Sequence, residues 1–457
     1  MVYPSGQSHE VALDDLFFST TDHKGVIDEA NNVFCSMARY PRERLMGAPH
    51  NIIRHPAMPG GAFKLVWDQL LAGKPACAYV QNMASDGSAY WVFATIVPIG
   101  DRFLSVRSRP CNDQLHSSVS IVYEQVRAIE EQAREEGHRK SEASRIGAEA
   151  IEKSVEGLGY PTFEDFMLDL LPAELGTRRA FSPTPPGSEV SDPLHKAITA
   201  GAQQVELQLG ALTDAMEQAH GVSARLTALA KSTYDTMGKL EGVLGEAQDL
   251  CEDWDNTDQL VVDALPAVRD KAGQLAQALA PIQQEIETVS MTRRYFRFDI
   301  EVARLQNEAI GRYVVAVSRG REDPAVSSKA ITSLADALYN LVNTDLGHDI
   351  SATAQLRQNV DRVAAALRVM HLVVGSWRNL VDTRGMSEVM AEVLPSLDKA
   401  LRRMAGEVAE ISESVGHLVS AIEGFDVDAL REQLSAIKGQ AEQFAPPADP
   451  YAAIAAA

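Results

Sequence analysis

Residues 76–107 read ACAYVQNMASDGSAYWVFATIVPIGDRFLSVR, and this stretch decides the fold of the first quarter of the chain. Three runs, Ala76–Met83, Ala89–Val97 and Phe103–Arg107, are rich in β-branched and aromatic residues and predict strands. Asp86-Gly87 separates the first two, and both residues tolerate positive φ, which marks a hairpin. Toward the N-terminus, Lys24-Gly25 marks a turn between an apolar run, Leu16–Thr21, and a short strand at Val26-Ile27. Asn31–Ala38 has helical character, Pro41 opens a short helix, and Ala62–Leu71 predicts a longer one ending at Gly73. Two strands, several short helices and three strands imply an α+β domain over residues 12–111. Its antiparallel five-stranded sheet carries the helical insert on one face.

Toward the C-terminus the pattern changes. Residues 112–156 read as one charged connecting helix. Residues 157–193 read as a linker holding a short amphipathic helix, FEDFMLDLL, and the Pro/Gly/Ser-rich segment SPTPPGSEVSDP. Residues 194–444 are helical in character, and 445–457 form a tail expected to be disordered. Two heptad seams stand out. One runs Leu356, Val360, Val363, Leu367, Met370, Val374, Trp377, and the other Leu394, Leu397, Leu401, Met404, Val408, Ile411, Val415, Leu418, Ile422. Each seam needs a partner helix, which an elongated self-contained bundle or a coiled-coil homo-oligomer would supply. Breaks are expected near Asp253–Asp258, Gly320–Pro324 and Thr383–Gly385.

The 457 residues carry a net charge of −21. Up to residue 112 there are ten basic and ten acidic side chains, so the excess acid belongs to the helical part. Acidity argues against nucleic acid and against anionic membrane surfaces as partners. A basic, apolar leader is absent, and no apolar run of about 18 residues predicts a membrane span. Four scattered cysteines without CxxC spacing suit a reducing, cytoplasmic location. The helical histidines lack metal-ligand spacing, and no nucleophile, phosphate-loop, dinucleotide or kinase motif appears, so enzymatic output is not expected.

One segment is chemically unusual. PHNIIRHPAMPGGAFKLVWDQL, residues 49–70, sets Arg54 and His55 among apolar residues and prolines ahead of Trp67. A guanidinium offers forked donors and a flat face to an anionic planar ligand. Asn31 and Asn82 could pair with the edge of a heterocycle. For Arg54 and His55, which precede a proline, surface or capping roles are the alternative.

The span Phe17–Arg109, about a fifth of the chain, resembles the PAS domain of the aerotaxis-receptor (energy-taxis) family. STTDHKGVIDEANNVF, LMGAPHNIIRHPAMP, FKLVWDQLLAGKP, VQNMASDGSAYWVFATIVPI and FLSVRSRP match in order. The resemblance implies non-covalent FAD, redox or oxygen sensing, and cofactor-binding roles for Asn31, Arg54, His55, Trp67 and Asn82. Tyr90 and Trp91 match the family's aromatic pair, as core or strand-pair residues or as contacts. Ala57 departs from the acidic residue common after the His-Pro. A cofactor-free interaction module and a haem sensor ligated through a histidine such as His55 are the alternatives. The implied partners are proteins of a signalling or chemotaxis pathway. In the helical part, Ile300–Arg304 and Gly311–Ala316 are faintly similar to the tip of a methyl-accepting hairpin, and an unrelated bundle is the other reading. Arg293-Arg294-Tyr295-Phe296-Arg297-Phe298 reads as a solvated helix face with two core rings or as a docking site.

Overall fold

The computed structural model describes residues 2–181, 190–253 and 258–444. They form two compact units. One holds the described residues up to Ala211, Arg297–Asn343 and those from Asp426 on, and the other holds Leu212–Phe296 and Thr344–Phe425.

The first unit is built on a sheet of β1 (Phe17–Asp22), β2 (Ile27–Ala30), β3 (Ala76–Met83), β4 (Ala89–Ile99) and β5 (Arg102–Ser108). The order is β2-β1-β5-β4-β3, and every pair is antiparallel. Asn82 lies opposite Tyr90, and the β3–β4 hairpin turns at Gly87, whose φ of 86° is the conformation glycine permits without strain. Between β2 and β3 come α1 (Asn32–Ala38), α2 (Arg42–Leu45), a 3₁₀ turn (His50–Ile53) and α3 (Gly60–Leu71). Alternation along the strands sorts the side chains. Ala78, Val80, Asn82, Ala94, Ile96, Phe103, Ser105 and Arg107 share the face beneath α3, which we call the front.

The back of the sheet is also covered. Residues 112–156 are two helices rather than one, α4 (Asp113–Glu135) and α5 (Lys140–Gly157). The chain reverses between them at Gly137, with φ 95°. Residues 163–181, expected to lie in a linker, form a core helix, α6. Its Met167 packs on Cys77, and its buried Glu174 accepts hydrogen bonds from the Tyr79 hydroxyl at 2.5 Å, from the Cys111 amide and from the Asn112 amide at 3.0 Å. The signal for this helix was present in the apolar FEDFMLDLL run. What could not be read was that the partner of that apolar face is the back of the sheet.

The helical remainder is α7 (Pro193–Asp253), α8 (Gln259–Leu279), α9 (Ile282–Ser318), α10 (Pro324–Thr383), α11 (Val393–Glu423) and α12 (Val427–Ala441). The breaks at Gly320–Pro324 and Thr383–Gly385 are present. The break near Asp253–Asp258 and the tail 445–457 fall largely or wholly outside the described residues. Within the first unit Tyr313 of α9 sits edge-on to Phe18 at 5.7 Å, and the Glu322 carboxylate accepts the Asn32 amide at 2.6 Å. Arg178 of α6 forks to Glu308 at 3.1 and 2.7 Å and donates to the Leu13 carbonyl at 2.8 Å. The compact units therefore do not follow divisions at residues 111 and 194. Helical segments distant in sequence bury the back of the sheet.

In the second unit both heptad seams are buried, from Leu356 to Trp377 and from Leu394 to Leu418, in one apolar core. Arg293 is buried there too. It donates to Asp349 at 2.9 Å and to the Leu418 carbonyl at 2.9 Å, and Phe296 is fully buried. Among the described residues, no helix is long and apolar enough to cross a membrane, and no cluster of three metal-ligating side chains occurs. All four cysteines are free thiols.

Candidate functional site

A cavity of about 310 Å³ lies between the front of the sheet and α3. That volume is at the small end for ligand pockets, the size of a ring system rather than of a whole dinucleotide. The sheet contributes Ala78, Val80, Ala94 and Ile96, small or branched side chains that leave a flat floor. The opposite wall comes from Phe63, Val66, Trp67 and Leu70 of α3. Lys24 and Asn51, both exposed, mark the mouth. Gly25, with φ 75°, lets the Trp67 ring approach, since a Cβ there would lie 3.1 Å from it. Trp67 meets Phe103 edge-on at 5.5 Å.

The polar groups are few and individually held. Asn82 is 3% exposed, and its Nδ2 has no hydrogen-bond partner among the described residues. Its backbone is fixed on both sides, by pairing with Tyr90 and by a bridge to Arg54. Arg54 donates to the Met58 carbonyl at 2.9 Å and lies over the Phe63 ring at 4.1 Å. Burial lowers its pKa, and the nearby Glu130 opposes that shift.

Arg107 is buried on neutral partners. It donates to Ser19 at 3.0 Å and to His50 Nε2 at 2.7 Å, and burial pushes its pKa down to about 10. His50 stacks on Phe34 at 5.6 Å. Burial, aided by the Arg107 charge, holds His50 well below its ordinary pKa, so its Nε2 is free to accept.

The structure brings Arg54, Trp67 and Asn82 together in this cavity and places the other two expected residues elsewhere. Asn31 caps α1. Its Oδ1 accepts the amides of Phe34 and Phe18 at 3.0 and 3.1 Å, and its Nδ2 donates to the Leu16 carbonyl at 2.8 Å. All of its polar atoms are used in holding β1 to α1. His55 lies in a neighbouring cleft with Gln81, Trp91 and Arg127, where its Nδ1 accepts the Ala57 amide at 3.1 Å. A haem held by His55 would sit in that cleft, and the histidine of the cavity is His50. Tyr90 and Trp91 are strand residues. Tyr90 packs on Phe17 and His9, and Trp91 on His116. Sequence reading missed His50, Arg107 and Ser105. The available signal was that Phe103, Ser105 and Arg107 alternate and so share one face of a strand.

The sheet order 2-1-5-4-3, the helical insert between the second and third strands and the cavity beneath that insert define the N-terminal domain as a PAS domain. No family model matches the chain. It is 34% identical over 131 residues to the aerotaxis receptor of Escherichia coli (strain K12), a match that takes in 28% of this chain and 26% of the receptor. Over that stretch the chain is similar to an aerotaxis receptor, and it spans about a quarter of the length of that relative. Two solved structures of light-oxygen-voltage domains also align. One is from a study of a flavin analogue (20% identity, TM-score 0.21, 22% of this chain and 83% of that one). The other is the light state of the blue-light photoreceptor Aureochrome1 (18% identity, TM-score 0.21, 21% and 84%).

Proposed function

We propose that the chain is a cytoplasmic, non-enzymatic sensor of redox state or oxygen, with FAD held by its flavin ring in the PAS cavity. It signals through its helical segments to protein partners of a taxis-like pathway. The observation that carries this reading is the buried, unpartnered Nδ2 of Asn82 in an apolar slot that also contains Arg54 and Arg107. A donor left bare in such a slot is destabilising unless a ligand supplies an acceptor. Two guanidiniums without a carboxylate in the cavity wall favour electron-rich, anionic ligand groups. The relative named above is a receptor, which fits signalling rather than catalysis.

A bound flavin would supply reversible two-electron chemistry. The residues do the rest. Phe63 and Trp67 of α3 on one side and Ala78, Ala94 and Phe103 of the sheet on the other exclude water. Asn82 orients the ring edge, and Lys24 and Asn51 at the mouth suit the phosphates. Arg107, kept cationic beside a neutral His50, favours any increase in negative charge near it. With flavin bound, the Asn82 amide would re-orient to follow a change in the acceptors facing it, a population shift driven by differential contacts. The test is the visible absorbance of the purified full chain, oxidised and reduced, with and without added FAD. Flavin bands that bleach on reduction are expected. A colourless protein that takes up no FAD would overturn the reading and leave a cofactor-free interaction module.

A further inference from the structure

One side chain in the cavity wall comes from beyond residue 111. Tyr123, midway along α4, is 7% exposed and lines the cavity beside Met58, Ala78 and Val80. It also lines the neighbouring cleft that holds His55, Gln81, Trp91 and Arg127, as Met58 does, so these two side chains border both spaces.

One face of α4 makes this possible. Because β3 is the edge strand, a helix can pass from the back of the sheet to the front there. His116 meets the rings of Tyr79 at 5.1 Å and Trp91 at 4.7 Å, both on the back. Seven residues on, about two turns along the same face, Tyr123 stands at the front cavity. Seven further on, the Glu130 carboxylate accepts the amides of Gly60 at 2.7 Å and Gly61 at 2.6 Å. Those are the first amides of α3, which would otherwise lack partners within the helix. A carboxylate at a helix N-terminus is held both by hydrogen bonds and by the helix dipole. Gly61 has no room for a Cβ, which would run into the backbone of Gly147 and Ala148 in α5. Helix α3, with Phe63, Val66 and Trp67, is therefore seated from α4 and α5.

We infer that α4 is part of the ligand site itself, with Tyr123 a wall residue that touches the ligand and Glu130 a positioning residue that sets α3 against it. This rests on the flavin reading above. Ligand affinity and the placement of α4 are then coupled, and the coupling is reciprocal.

The experiment is FAD titration of the full chain and its variants, with the visible spectrum of the bound flavin as a second readout. Tyr123→Ala and Glu130→Ala are each expected to weaken FAD binding by about tenfold or more, as loss of a buried ring or of a charged cap would produce. Tyr123→Phe, which keeps the ring, and Ile121→Ala, on the exposed side of the same helix, bind as the parent does. Wild-type binding with unchanged affinity and spectrum in both alanine variants overturns this inference and leaves the flavin reading standing. A wild-type chain that takes up no FAD overturns both. If an alanine variant does not fold, amide exchange of the wild type decides. Slower exchange over residues 113–135 on saturation with FAD supports the coupling, and unchanged exchange there overturns it.

Discussion

Arg107 donates a 2.7 Å hydrogen bond to His50 Nε2 in the front layer of the PAS domain, and this arrangement requires a neutral imidazole. The folded-state pKa of His50 lies well below that of the unfolded chain, so the unfolded state binds the extra proton. Stability should therefore fall as pH drops below about 6.5 and continue to fall toward the depressed folded value. Melting temperatures measured from pH 8 to 5 should show this loss for the wild type. His50→Gln, which cannot titrate, should show a shallower slope. Identical slopes would remove His50 from the account.

Binding and stability should separate among the residues singled out from sequence. Asn82→Ala is expected to weaken FAD binding by about five- to tenfold, through loss of a buried donor. Asn31→Ala removes a helix cap and should lower stability by about 1–2 kcal/mol while FAD affinity stays within twofold. His55→Ala should also leave FAD affinity within twofold. A large loss of affinity in the His55 variant would show that the ligand extends into the second cleft.

Glu174 is fully buried, and burial raises its carboxyl pKa against the pull of its three donors. Glu174→Ala strands the Tyr79 hydroxyl and two amides, and a loss of about 3 kcal/mol is expected in denaturant unfolding. Glu174→Gln keeps an acceptor and should lose less. Equal losses would mean that volume, not hydrogen bonding, matters at this site.

In the second unit, Arg293 and Asp349 form a buried pair. Asp349→Ala leaves a cation without its counter-charge and should destabilise by about 3–5 kcal/mol, whereas Arg293→Met combined with Asp349→Leu should recover most of that. A double-mutant cycle by thermal melting measures the difference. A double variant as unstable as Asp349→Ala alone would refute the pairing argument.

Local patterns were legible wherever the determining physics was local. The DG hairpin, the strands on either side of it and the helix ending before Gly73 could be read because turn chemistry and side-chain alternation act within a few residues. The seams from Leu356 to Trp377 and from Leu394 to Leu418 were legible for the same reason, since a heptad states that a helix has an apolar side. Residue type was ambiguous at Asn31. An amide that can pair with a heterocycle can equally cap a helix, and only the backbone geometry at Phe34 and Phe18 tells which. Residue type also passed over Arg107, because a lone arginine in a strand does not declare which face is covered.

What the sequence alone determined is the antiparallel sheet with its helical insert, the concentration of acid in the helical part and the burial of the seams. Which elements meet was settled by packing in three dimensions. It put α6 and the end of α9 on the back of the sheet, moved His55 out of the cavity, and brought His50, Arg107 and Tyr123 into it. The physical reason is that an apolar face or a buried cation specifies the chemistry of its partner but not its position along the chain. That position is settled when distant segments compete to bury the same surface.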